Sequence, residues 1–197
     1  TVEELKEVCV ILTERVNELA PEVPRDSEGV MQLSLAKKQP AGESAVKALE
    51  NLAREYPELE GYYPKPKAVT GSWILSVQNL TGVYSPFTVE ANYNQAMPDY
   101  NIPFTACHEL SHLRGFMQEE EANFIAYLAC ISSEDQKFQY SGNLSGWIYC
   151  MNVLRNLDYE AWKEIRTGLT EEAESDLRAN REFWGKYDGK TAEVSQM

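Results

Sequence analysis

The only two histidines of this 197-residue chain stand four residues apart, in His108-Glu109-Leu110-Ser111-His112. On a helix that spacing sets both imidazoles on one face about one turn apart, where they can grip a single metal ion, with Glu109 beside them as general base. Two histidines scattered at random would show this spacing with a glutamate in that position in about one chain in 800, so the pattern is read as chemistry. Two imidazoles and a carboxylate suit the borderline character and tetrahedral preference of zinc, although other divalent transition metals accept the same donors.

Catalytic zinc takes three protein ligands and keeps one position open for water, so a third donor must follow the turn at Gly115. The run Glu119-Glu120-Glu121-Ala122-Asn123 is its source. If a helix begins at Glu119, Asn123 shares its face and can steady a neighbouring ligand, while Ala126 and Cys130 continue a stripe of small side chains. Glu121 lies about 200° round the helix from Glu119 and serves the same site only if the helix begins later. Glu119 is therefore the preferred third ligand and Glu121 the alternative. Three carboxylates would also suit the positive end of a helix with no metal present. Gln118 stands where the longer pattern H-E-x-x-H-x-x-G-x-x-H carries its third histidine, which argues against that class although Gly115 matches.

The elements that must position these groups read as mostly helical. Thr1 and Glu4 form a capping-box pattern, and Leu5, Val8, Cys9, Leu12, Val16 and Leu19 repeat at helical spacing until Pro21. A turn-rich passage from Pro21 to Pro40 leads to a second helical run over Glu43–Tyr56. Alternation of Trp73, Leu75 and Val77, and of Phe87, Val89, Ala91 and Tyr93, predicts two strands. Pro86 suggests that the second lies at a sheet edge, because proline cannot donate to a ladder. From Pro103 to Tyr187 the pattern is helical, with breaks at Gly115, Gly142, Gly168 and Gly185. The expected fold is α+β and predominantly helical: a zincin-like metallopeptidase domain, single over residues 1–197, with a small antiparallel sheet packed on the His108–His112 helix.

Composition narrows the partners. Subtracting 31 acidic from 18 basic residues gives −13, which repels phosphate backbones and argues against nucleic acid. The apolar content of 43% supports a real core. Apolar runs such as Val8–Leu12 and Phe124–Ile131 are far below the roughly 20 residues that span a bilayer. Thr1 opens directly into a helical pattern, so a targeting signal is not expected within these residues. The cysteines Cys9, Cys107, Cys130 and Cys150 show no paired spacing and read as small buried hydrophobes, with two disulfides as the alternative. The acidic stretch from Asp158 to Asp176 reads as solvated helix faces carrying pairs such as Glu174 and Arg178.

The segment HELSHLRGFMQEEEANFIAYLAC, with the preceding NIPFTAC and the later FQYSG, resembles a bacterial family catalogued as domain of unknown function 3810. Glu119 to Asn123 is also similar to the second-helix ligand segment of gluzincin peptidases. The resemblance implies a zinc-peptidase-like domain in a longer chain whose membrane helices precede it, and hence membrane association through segments outside residues 1–197.

These readings converge on zinc-dependent hydrolysis of a peptide bond. His108, His112 and Glu119 hold the metal, which lowers the pKa of water, and Glu109 removes the proton and returns it to the leaving amine. The partner is then a peptide or protein substrate. Tyr140 and Tyr149 could each supply a phenolic hydroxyl, and Thr88–Asn94 could accept an extended substrate as an edge strand. A silent zinc-containing peptide-binding module and a zinc hydrolase of non-peptide amides are the alternatives; the sequence leaves substrate, membrane side and oligomeric state open.

Overall fold

The computed structural model describes residues 1–34 and 41–188. The Glu4 N–H donates to Thr1 Oγ1 at 3.3 Å and the Glu4 carboxylate returns to the Thr1 amino group, so the capping box forms as read and starts helix α1, Val2–Leu19. Pro21 then ends it in a short 3-10 turn. The passage after Pro21 is described only as far as Ser34; 35–40 lie outside the described residues. Helix α2, Ala41–Ala53, begins two residues before its predicted start.

The sheet differs most from expectation. Residues Trp73–Val77 form a short helix, α3, rather than a strand. Over five residues a single helical turn and an alternating strand bury comparable positions, and here the buried pair is the adjacent Leu75 and Ser76. The strands are β1 (Lys67–Ala68), β2 (Gly82–Ser85) and β3 (Glu90–Tyr93), in the order β1-β3-β2. β2 runs antiparallel to β3 and β1 parallel to it, so the sheet is mixed rather than antiparallel. β3 is paired on both sides, and Pro86 stands in the turn before it; Thr88–Asn94 is therefore not an edge. The two-residue β1 is too short to leave a pattern in the sequence.

Five further helices complete the chain: α4 (Asn101–Leu113), α5 (Glu119–Ile131), α6 (Gln136–Leu157), α7 (Tyr159–Arg166) and α8 (Glu171–Gly185). Gly142 does not break α6 but lies inside it. A Cβ there would stand 2.5 Å from Cys130 Cβ, so the missing side chain lets α5 and α6 close on each other. The architecture is thus predominantly helical α+β.

Apolar residues gather into two groups. Ala91 and Tyr93 of β3 pack with Ala106, Cys107 and Leu110 of α4 and with Ala126 and Cys130 of α5, so the sheet does rest on the helix carrying the histidines. Cys9, Leu12 and Val16 of α1 pack with Leu144, Met151 and Leu154 of α6. Trp147 Nε1 donates to Thr13 Oγ1 at 2.8 Å across that second group. All four cysteines are free; Cys107 and Cys130 are buried with sulfurs 3.9 Å apart. Among the described residues no helix is long and apolar enough to cross a membrane.

The Asp158–Asp176 stretch departs from its reading at its end. Asp176 is fully buried, and Arg178 pairs with Glu171 at 3.2 Å while Glu174 pairs with Arg166.

Candidate metal centre

The helix that carries the two histidines is fastened at both ends. At its start, Ser141 of α6 accepts from the free Phe104 N–H at 3.1 Å and donates to Tyr100 O, doing the work of a side-chain cap from a different helix. Pro103 sits within the first turn, where its missing N–H costs nothing. At its end the chain turns through Gly115 at φ +98°, a left-handed conformation that glycine adopts without strain. That turn aims Phe116 O at the His112 ring, 2.8 Å from Nδ1.

A carbonyl only accepts, so His112 Nδ1 carries the proton and Nε2 presents its lone pair. This nitrogen lies 3.5 Å from Glu119 Oε1, and His108 Nε2 lies 3.2 Å from Glu119 Oε2. The rings meet edge to face with centroids 4.5 Å apart. Burial, reinforced by His112, pulls the His108 imidazolium below its ordinary range, so this ring is neutral at pH 7, the form that binds metal. Three ligand atoms, one from each of His108, His112 and Glu119, fall within 4.8 Å of one another. The set fits a divalent ion in residue type, number and spacing. Both histidines are sunk in the protein while Glu119 is open to solvent, so the centre is reached from one side.

Glu119 opens α5, as its preferred register required. Glu121 is exposed and stands apart from the three convergent ligand atoms. Asn123 lies one turn on from Glu119, against the His108 ring and the Tyr149 phenol.

Glu109 is 5% exposed and shares a groove of about 350 Å³ with His108, His112 and Glu119. Its other wall is the outer side of β2, including Gly82 and Tyr84. A Cβ at Gly82 would lie 2.5 Å from Glu109 Oε1 and 2.7 Å from Thr105 Cγ2, so only glycine lets the strand lie directly on this carboxyl. Burial first, and then the charge of Glu119, push the Glu109 carboxyl up to about 8. A divalent ion alongside would act in the opposite direction.

The two tyrosines separate. Tyr149 lines the cleft with His108 and Glu119, whereas Tyr140 is buried and donates to Asp176 Oδ2 at 2.5 Å, away from the metal ligands. Gly82, Tyr84, Ser141 and Asn180 escaped the sequence reading; a glycine heading a short strand was the one local sign of close backbone approach.

This helix-dominated α+β chain thus brings two histidines and a glutamate from successive helices around one point, a grouping that could hold a metal ion. The chain belongs to the family described as Protein of unknown function (DUF3810), which it matches over residues 1–197. No curated protein and no solved structure matches it.

Proposed function

We propose that this protein is a zinc-dependent peptidase of zincin-like fold. The observation that carries the reading is the placement of Glu109 in one groove with three convergent ligands, against the free side of a strand. A bound zinc ion would supply Lewis acidity, polarising the scissile carbonyl and acidifying water.

The rest is done by the chain. His108, His112 and Glu119 hold the ion, with the His112 ring fixed by Phe116 O. Glu109 accepts a proton from the attacking water on its carboxylate and passes it to the leaving nitrogen, and its burial suits it to carry that proton between the two steps. β2 pairs only with β3 among the described residues, so its outer side is free to take an extended substrate backbone by strand addition. This gives β2 the role that the sequence assigned to Thr88–Asn94. Tethering to a membrane through segments outside these residues belongs to the proposal on the strength of family resemblance alone.

The test is metal analysis and peptide-library cleavage on protein purified with zinc supplementation. One equivalent of zinc, lost in His108→Ala, and cleavage abolished in Glu109→Gln with the zinc retained, are the expected results. Protein that carries no metal, or loaded protein that cleaves nothing, rejects the reading.

A further inference from the structure

Past the metal ligands the cleft continues into an open cavity of about 410 Å³ between α4, α6 and α8. Four side-chain amides line it, from Asn101, Asn123, Asn152 and Asn180, and no charged residue other than the ligand Glu119 does. Asn101 and Asn180 hold each other, the Asn101 amide donating to Asn180 Oδ1 at 3.0 Å, whereas the Asn152 side chain is exposed on the cavity wall and makes no hydrogen bond among the described residues. An amide left without a partner on the cavity wall is free to pair with a bound group.

We propose that this cavity is a specificity pocket for a substrate residue with an uncharged, hydrogen-bonding side chain, glutamine or asparagine above all. The inference rests on the hydrolase reading only in that the pocket is entered from the metal centre. A primary amide offers a donor and an acceptor together, the same pair that the asparagine walls present. A carboxylate would enter beside Glu119 with no cation lining the cavity to face it. A leucine side chain would leave the wall amides without a partner, and sites built to hydrogen-bond reject analogues that cannot. Apolar side chains also have a better alternative: a second cavity of about 430 Å³, beyond Tyr149, is lined by Val8, Leu12, Phe124 and Tyr127.

The test compares N-acetyl amino-acid hydroxamates of glutamine, glutamate and leucine for binding to the zinc-loaded protein by calorimetry, since the hydroxamate anchors each to the metal alike. Glutamine should bind at least about tenfold tighter than either of the others. Asn152 is exposed and its side chain makes no hydrogen bond among the described residues, so Asn152→Leu keeps the protein folded and should shrink the glutamine-to-leucine ratio severalfold. Equal binding of the three, or binding by none with zinc present, overturns the pocket assignment and leaves peptide cleavage to be judged on its own. Glutamine preference without cleavage of any peptide upholds the pocket and removes the peptidase reading.

Discussion

Among the described residues two carboxylates are withdrawn from water, and the protein treats them in opposite ways. Asp176 is wholly buried and meets three donors: Met31 N–H at 2.7 Å on one oxygen, the Tyr140 hydroxyl at 2.5 Å and Arg25 at 3.0 Å on the other. Burial lifts its carboxyl above the ordinary value, while all three partners pull the other way by favouring the charged form. Glu109 is nearly as deep, yet only burial and the like charge of Glu119 act on it, and no donor opposes them. A carboxylate supplied with donors on both oxygens is committed to holding elements together. One kept dry and without donors, beside convergent ligand atoms, holds on to its proton, and on the proposed reading a bound cation would free it to act as the base.

The sharpest way to break this contrast is to neutralise each group in turn. Glu109→Gln should lower kcat by roughly 10³-fold, in the middle of the range for general acid-base catalysis, with zinc content and fold unchanged. Asp176→Ala should do the reverse, destabilising the protein by about 3–5 kcal/mol because it leaves Arg25 buried without its counter-charge. Zinc affinity measured on the folded fraction should stay as it was. Equal loss of stability from both substitutions would erase the distinction.

The pH dependence of the metal-free protein sharpens it further. With its folded value pushed up to about 8, against an ordinary value near 4.5, Glu109 keeps its proton in the folded state where the unfolded chain has already lost it. The stabilising contribution is full below pH 4.5 and is lost as pH rises to about 8, with an expected total on the order of 5 kcal/mol. Urea titrations at the two ends of this window should show a markedly larger decline in wild type than in Glu109→Gln, where the raised carboxyls of Asp99 and Asp176 remain. With zinc bound the decline should disappear and stability should instead rise with pH, because the cation draws the carboxyl down and binds the deprotonated ligands more tightly.

Gly82 joins the comparison, since the strand can reach Glu109 only through the space its missing side chain leaves. Gly82→Ala should cost about 1–3 kcal/mol by overpacking and should weaken cleavage while zinc stays bound, as the new methyl group displaces either β2 or the Glu109 side chain. Unchanged cleavage would mean that Glu109 tolerates movement and that its burial against the strand has no part in the reaction.

What the sequence discloses follows the range of each interaction. His108, Glu109, His112 and Glu119 span a helix, a short turn and the start of the next helix, so local periodicity was enough to bring them together. The Thr1–Glu4 capping box, the ends of α1 and the small-residue stripe of α5 were legible for the same reason. Asp176 looked like the end of a solvated acidic face, because its partners Arg25 and Tyr140 lie 151 and 36 residues away. The central place of β3 was hidden by the brevity of β1, and the α3 turn by a span too short to show its period. Gly142 read as a break because a glycine that admits a neighbouring helix looks, in sequence, like one that ends its own.

The smallest expected effect tests the division between the two tyrosines. Tyr140→Phe removes one of three donors from Asp176 and leaves Arg25 and the Met31 N–H in place, so the loss should be about 1–2 kcal/mol, far short of that for Asp176→Ala. Cleavage and zinc binding should not move, because Tyr140 lies outside the cleft. Tyr149 is half-exposed and lines the cleft with His108 and Glu119, so Tyr149→Phe should leave thermal stability within about 0.5 kcal/mol of wild type. Both variants keep the ring and its packing, which makes the hydroxyl the only difference. A larger stability loss in Tyr149→Phe than in Tyr140→Phe would mean that the cleft, and not the Asp176 network, is what fastens α6 to its neighbours.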